Sequence, residues 1–406
     1  MRNEKITLGL RENWVQFLWL VLINGLVGGM IGLERSLMPA LASHEFHLDA
    51  HTAMLSFIAV FGLSKAFANY MSGKWANILG KKRLLVMGWI VALPVPLIFI
   101  FADHWYQIGI ANLLLGISQG LTWSSTVVMK IDLVGEKNRG LALGINESAG
   151  YLAVGGVAFL TSWMAEAYGL RPYPFYLGLG IAWLGLGLSW WLVRDTQAHV
   201  QQEARTSTAQ SMHSVFWETS LRHKNLSAVT WAGLINNLND GMMWGLFPVL
   251  LAQLAFSQTD IGGLTAIYPM VWGLSQLFTG VLSDRWNVKR MLVAGMGLQG
   301  AAILWINVAD SATAFAWASV GLGLGTAFVY PTFMKVIAQE THPNHRAEAF
   351  GAYRWWRDIG YVAGALVSGF LADIWNVSTS IGAVGIITLA AAVMLGLRMN
   401  HGTTKV

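Results

Sequence analysis

Arg354, Arg357 and Asp358 stand near the middle of His345 to Asp373, an otherwise apolar stretch that reads as a membrane helix. A charge left at the bilayer centre costs about 2.5–3.5 kcal/mol, so a helix keeps such residues only by turning them towards a bundle interior or a water-filled cavity. Spacings of three and four place all of them on one broad helix face. Guanidinium groups held there bind anions through charge-assisted hydrogen bonds. A neighbouring carboxylate can exchange its arginine partner for a proton or a solute. Tyr353, Trp355 and Trp356 offer aromatic support beside them.

Other apolar stretches carry the same kind of group. Glu34 and Arg35 are adjacent in GGMIGLERSLMPALA, and Asn146-Glu147 lies in ALGINESAGYLAVGG. Asn236, Asn237, Asn239 and Asp240 crowd a further run beside Gly241. Asn and Asp compete with the helix backbone for hydrogen bonds, so a polar, locally unwound cavity wall is expected there. Glu34, Arg35, Glu147, Asp240, Arg354, Arg357 and Asp358 are thus the candidates for substrate or proton coupling.

The elements that must position these groups follow from composition. The chain has 406 residues, 55% of them hydrophobic and only 12% charged, against about 25% charged in a soluble domain. Apolar runs near membrane-spanning length recur, and the fold class is an all-α membrane protein with twelve transmembrane helices. The expected spans are 14–41, 51–73, 84–102, 105–130, 140–164, 173–193, 227–254, 260–282, 290–308, 312–336, 346–372 and 377–397. The first run is too long for a signal-peptide core. With no Cys, disulfides, thiolate metal sites and thiol nucleophiles are excluded. Basic residues cluster on one side: Arg2, Lys5 and Arg11, Lys81 to Arg83, Lys137 and Arg139, Arg194 to Lys224, Lys289 and Arg290, Arg346, Arg398 and Lys405. The positive-inside rule then puts both termini in the cytoplasm, with Arg171 the main exception among outer loops.

The chain repeats itself. Gly73 to Arg83 and Gly280 to Arg290 are related by an offset of 207 (280 − 73), which recurs for Arg139 and Arg346, Gly144 and Gly351, and Gly116 and Gly323. Duplication gives two pseudo-symmetric six-helix bundles, 1–193 and 227–406, joined by a polar linker, 194–226. The linker's end, Val215 to Lys224, alternates apolar and charged residues and reads either as a surface amphipathic helix or as a tether. The offset also pairs Glu147 with Arg354, an acid and a base that would approach a shared cavity from equivalent places.

In these features the chain resembles the major facilitator superfamily over essentially its whole length. That family carries Gly-x-Leu-x-Asp-Arg-x-Gly-Arg-Lys after its second and eighth helices. The second copy here keeps Gly280, Leu282, Asp284, Arg285, Lys289 and Arg290; the first keeps Gly73, Gly80 and Lys81 to Arg83, with Asn77 in place of the acid. The glycines permit close helix approach, and an acid at this loop can meet the positive end of a neighbouring helix. Pseudo-symmetry would bring Asp284 towards Arg139 and Asn77 towards Arg346. The resemblance implies a conformational latch on the cytoplasmic side, built from Gly73, Asn77, Gly80, Arg139, Gly280, Asp284, Arg285 and Arg346. It also implies a central cavity lined by spans one, four, seven and ten, hence by Asn112, Gln119, Asn236, Asn237 and Tyr330, with Trp123 nearby. The glycine-proline motif of antiporters lacks its proline in Gly150 to Gly156, which counts against antiport.

These residues point to a secondary active transporter, not an enzyme, moving a small organic anion by alternating access with proton coupling, as a monomer in a bacterial inner membrane. Its basic pair in span eleven should look into an aqueous cleft between the halves. The alternative is a proton antiporter exporting lipophilic or cationic compounds; a receptor on the same fold is the minor one. No nucleotide-binding loop or hydrolase motif is present, and no cofactor or nucleic-acid partner is expected. His44, His47 and His51, interleaved with Glu45 and Asp49, are read as a solvated loop and not as a metal site.

Overall fold

A computed structural model describes residues 6–135, 139–204 and 214–399, apart from the Asp284 side chain. Arg2, Lys5, Lys137 and Lys405, used above for orientation, lie outside the described residues. The described chain is helical throughout, without a strand. The helices run α1 (Trp14–Arg35), α2 (Met38–His44), α3 (His51–Met54), α4 (Ser56–Leu79), α5 (Lys81–Ala92), α6 (Pro94–Phe101), α7 (Trp105–Val134), α8 (Arg139–Tyr168) and α9 (Tyr173–Trp191). The linker follows, with α10 (Gln197–Ala204), α11 (Val215–Trp217) and a π turn (Glu218–Arg222). Then come α12 (Lys224–Gln253), α13 (Gln258–Arg285), α14 (Val288–Val308), α15 (Ala312–Glu340), α16 (Pro343–Ile374) and α17 (Val377–Arg398).

Among the described residues six rods are long and apolar enough to cross a membrane: Trp14–His44, Lys81–Phe101, Arg139–Tyr168, Val288–Val308, Ala312–Glu340 and Val377–Arg398. Six more helices, α4, α7, α9, α12, α13 and α16, have 19 to 32 residues. At 1.5 Å per residue each is at least about as long as a bilayer core is thick. Their lower hydropathy has a visible cause in α4, α7, α12 and α16, whose polar side chains are turned inward and buried.

Two rods are broken where proline dictates. Pro39 has no N–H to give the carbonyl of Arg35, so the first span, expected as one helix over 14–41, divides at Ser36 and Leu37. Pro94 divides the third span in the same way. By contrast α12 runs unbroken through Asn236 to Asp240, against the expected unwinding. These side chains find partners on other helices instead of on their own backbone. Gln299 Nε2 donates to Asn236 Oδ1, and Asn239 Nδ2 donates to Gln299 Oε1, both at 3.0 Å; Thr388 donates to Asn239 at 2.6 Å.

The 207-residue offset survives in three dimensions: α5 and α14 start at Lys81 and Val288 (288 − 81 = 207), and α7 and α15 at Trp105 and Ala312 (312 − 105 = 207). The two repeats meet where α8 lies along α13 and α4 along α16. Glycine makes both crossings possible. A Cβ on Gly280 would stand 2.6 Å from the Gly140 carbonyl oxygen, and one on Gly73 2.7 Å from that of Ala347.

Candidate functional site

The seam between the repeats is lined with buried ionic and aromatic side chains. On α16, Arg354, Arg357 and Asp358 are at most 3% exposed and face the seam rather than lipid. Arg354 Nη1 donates to Ser124 of α7, Ser124 donates to Asn69 of α4, and Asn69 Nδ2 donates to Asp358. Asp358 also pairs with Arg357 at 3.3 Å and accepts from Asn237 of α12 at 3.3 Å. Arg357 Nη1 meets the Tyr330 hydroxyl of α15, with its guanidinium 5.0 Å from that ring's centre. One network therefore fastens α16 to both repeats.

It is not saturated. Arg354 Nε and Nη2 and Arg357 Nε are buried without a hydrogen-bond partner. Near the α1 break, Arg35 lies 3.7 Å from the centre of the Trp244 ring and 5.1 Å from that of Phe61. Among the described residues none of its nitrogens is hydrogen-bonded. Glu34 is oriented towards Asn112, but neither carboxylate oxygen reaches hydrogen-bonding geometry. An unpaired buried donor carries its desolvation penalty of about 1–3 kcal/mol, more for a charged group. Any group that supplies acceptors to these donors relieves that penalty.

Asp240 accepts from the Tyr268 hydroxyl, within an aromatic wall in which Tyr151 stacks on Trp272 with centroids 3.3 Å apart. Glu147 accepts from Trp123 Nε1 at 3.1 Å and Asn146 Nδ2 at 2.5 Å. It lies within electrostatic reach of Arg354 and Arg357 but forms no ion pair with them among the described residues. Of the expected cavity lining, Asn237 and Tyr330 reach the network. Asn236 serves helix packing, Gln119 donates to the Val27 carbonyl at 3.0 Å, and Asn112 to that of Ile108 at 3.1 Å. The aromatic support expected from Trp355 and Trp356 is turned elsewhere, onto Tyr70 and Trp231; Tyr353 packs on Phe333.

The expected aqueous cleft is closed in this conformation. The spaces that touch Arg35 and Arg354 are each about 10 Å³, the volume of one probe sphere. A larger cavity of about 370 Å³, lined by Ser36, Pro39, His44 and Gln258 among others, lies beyond Arg35. It shares Pro248 with the small space against Arg35.

At the Arg346 end, the buried carboxylate of Glu203 in α10 pairs with Arg139 at the start of α8 and with Arg346, at 3.0 Å, near the start of α16. Burial raises the Glu203 pKa, but Arg346 and Arg139 outweigh it and hold the group below its ordinary value of 4.5. The expected partner of Arg139, the Asp284 side chain, lies outside the described residues. Asn77 Nδ2 points at the Asn344 carbonyl at 3.5 Å, the limit of a hydrogen bond, and Arg285 is exposed. Gly80 adopts φ +84°, which lets Asp195 approach and accept from the Lys82 amide at 2.9 Å. Sequence reasoning missed Glu203; a lone acid three residues after Val200 in a short polar helix carried little signal. In the Val215 to Leu221 segment Phe216 packs on Tyr70, while Trp217 and Leu221 are exposed.

At the opposite end two further carboxylates join the repeats. Asp373 accepts from the amides of His51 and Thr52 at 2.8 and 3.1 Å, and Glu166 accepts from the amide of Thr259 at 2.7 Å. Both pairs obey the repeat (373 − 166 = 207; 259 − 52 = 207). His51 of the histidine-rich loop is thereby engaged with Asp373, and Glu45 with Arg171.

Membrane-length helices, six of them apolar enough to cross a membrane among the described residues, and a buried charged seam mark an integral membrane protein. The family profile described as Major Facilitator Superfamily matches residues 18–236 and again 229–405, and the chain belongs to that family. It is a transporter of the membrane-embedded kind. Multidrug resistance protein MdtG of Proteus mirabilis (strain HI4320) is 22% identical over 374 residues, 89% of this chain and 90% of that protein. A probable L-galactonate transporter of Escherichia coli (strain K12) is 26% identical over 174 residues, 42% of this chain and 38% of the relative. The crystal structure of the human organic anion transporter MFSD10 (TETRAN) superposes with a TM-score of 0.74 at 15% identity, covering 93% of this chain and 99% of that one.

Proposed function

We propose that the protein carries a small organic anion through the seam by alternating access, driven by protons. The halves 1–193 and 227–406 would rock about the site, with 194–226 as linker, both termini in the cytoplasm, and the protein a monomer in a bacterial inner membrane. The observation that carries this reading is the pair of buried, incompletely partnered guanidinium groups, Arg35 and Arg354, on opposite repeats. A carboxylate, sulfonate or phosphate supplies the acceptors they lack. Glu34, Glu147 and Asp240 each keep an unpartnered carboxylate oxygen in the same region, which suits them to take up the coupling proton. Galactonate, named for one relative, is an anion of the required class.

The whole-length likeness to MdtG, named for multidrug resistance, favours a second reading: proton-driven export of lipophilic or cationic compounds with an acid as anchor. A ligand screen on the purified protein, followed by liposome uptake with and without a pH gradient, separates the two. The anion reading expects organic anions to raise the melting temperature and Arg357→Glu to abolish that shift. Stabilisation by cations that survives Arg357→Glu would replace it with the second.

A further inference from the structure

Lys65 sits on α4 in the middle of the seam, 3% exposed. Its ammonium lies 5.2 Å from the centre of the Phe61 ring, 5.7 Å from Trp123 and 5.3 Å from Tyr361. These distances are within the roughly 6 Å reach of a cation–π contact, and aromatic boxes of this kind are what proteins use to hold organic cations. Lys65 makes no ion pair or hydrogen bond among the described residues, and Asp358, the carboxylate in electrostatic reach, is already paired with Arg357 at 3.3 Å. The repeat offers a control for what packing alone requires. The equivalent position is Trp272 (272 − 65 = 207), a neutral ring stacked among Tyr151, Tyr268 and Tyr330. A large ring fills that side without any charge, so filling space does not explain an ammonium on this one. Arg35 occupies a second such face, against Trp244 and Phe61.

We infer that Lys65 is a specificity-determining residue: a tethered cation that fills the aromatic box of Phe61, Trp123 and Tyr361, excluding cationic solutes from the seam and reserving it for anions. The inference rests on the seam being the solute site. It explains how an aromatic-rich seam, whose ring faces would otherwise attract organic cations, is turned against them. Repulsion between like charges inside a low-dielectric seam, added to occupation of the ring faces, makes cation entry costly.

The test uses purified full-length protein in detergent and the lipophilic cation tetraphenylphosphonium, with binding measured by titration calorimetry. Wild type and Lys65→Arg should not bind it. Lys65→Met and Lys65→Gln, made in parallel so that one folded variant suffices, should gain affinity at least about tenfold, as expected for freed ring faces. Adding Trp123→Ala to either should remove the gain. Tight binding of the cation by wild type, a folded Lys65 variant with no gain, or a gain indifferent to Trp123 would each overturn the assignment. Because the probe is a cation, these outcomes stand apart from whether any particular anion is transported.

Discussion

The two ends of the seam are shut in different ways. At one end Asp373 and Glu166 form a symmetric pair of partly exposed carboxylates, each accepting backbone N–H groups in the first turn of a helix from the other repeat. Ala50, at the N-cap of α3, makes no side-chain cap bond, so Asp373 satisfies donors its own segment leaves open. At the other end, among the described residues, the carboxylate of Glu203 spans two equivalent arginines, one from each repeat (346 − 139 = 207), and all three are buried. Among the described residues, closure is divided between separate contacts on one face, where Gln258 also donates to the Ser36 carbonyl at 3.0 Å, and is centred on Glu203 at the other. A single substitution should therefore open the Glu203 end far more readily than the Asp373 end.

The sharpest way to break this contrast is Glu203→Gln. Removing the shared partner of two buried guanidinium groups costs about 3–5 kcal/mol in comparable pairs. The chain has no Cys, so a cysteine introduced at Val128, which lines the small space beside Arg354, reports opening cleanly. Maleimide labelling there should rise more than tenfold over the Glu203 parent.

Next in size is Gly280→Ala. Its Cβ would stand 2.6 Å from the Gly140 carbonyl oxygen, so α13 and α8 must part. A loss of about 1–3 kcal/mol is expected, read as a lower melting temperature. Asp373→Ala follows, at about 0.5–2 kcal/mol for a lost helix cap. Combined with Glu166→Ala the two effects should add, because the sites share no partner. Labelling of a cysteine at Ser43 would measure it; a single variant that opens this face as widely as Glu203→Gln opens the other would erase the asymmetry.

The smallest effect is a pH dependence of the Glu203 end. Its carboxyl is held below its ordinary value of 4.5 in the folded protein. The stabilisation is therefore complete above about pH 4.5 and is lost as pH falls through the lower folded value. Labelling at Val128→Cys, expressed relative to a freely exposed cysteine at the same pH because the reactive thiolate fraction falls with pH, should be flat from neutral pH down to that region and climb below it. Glu203→Gln should abolish the climb.

Much of this architecture was legible in the sequence. Helix-length apolar runs, the 207-residue offset and Gly73 with Gly280 follow from bilayer thickness and close packing. Asp373 and Glu166 obey the same offset and so carried a signal. It was silent because a carboxylate near a helix end reads as a solvent-facing group until the helix whose amides it caps is known. Lys65 was passed over for a different reason: one lysine in an apolar run offers no spacing to interpret, and its meaning lies in rings contributed by α4, α7 and α16. The α12 asparagines misled, because backbone competition was weighed without the Gln299 and Thr388 that resolve it.

The central claim is that incompletely partnered arginines in the seam await an anion. It is tested most directly by counterflow of radiolabelled galactonate and chemically related organic acids in liposomes holding wild type or Arg354→Gln. Wild type should accumulate at least one such acid, and the variant at least about tenfold less, as removal of a charged hydrogen-bond partner implies. Equal accumulation by the two proteins would contradict it.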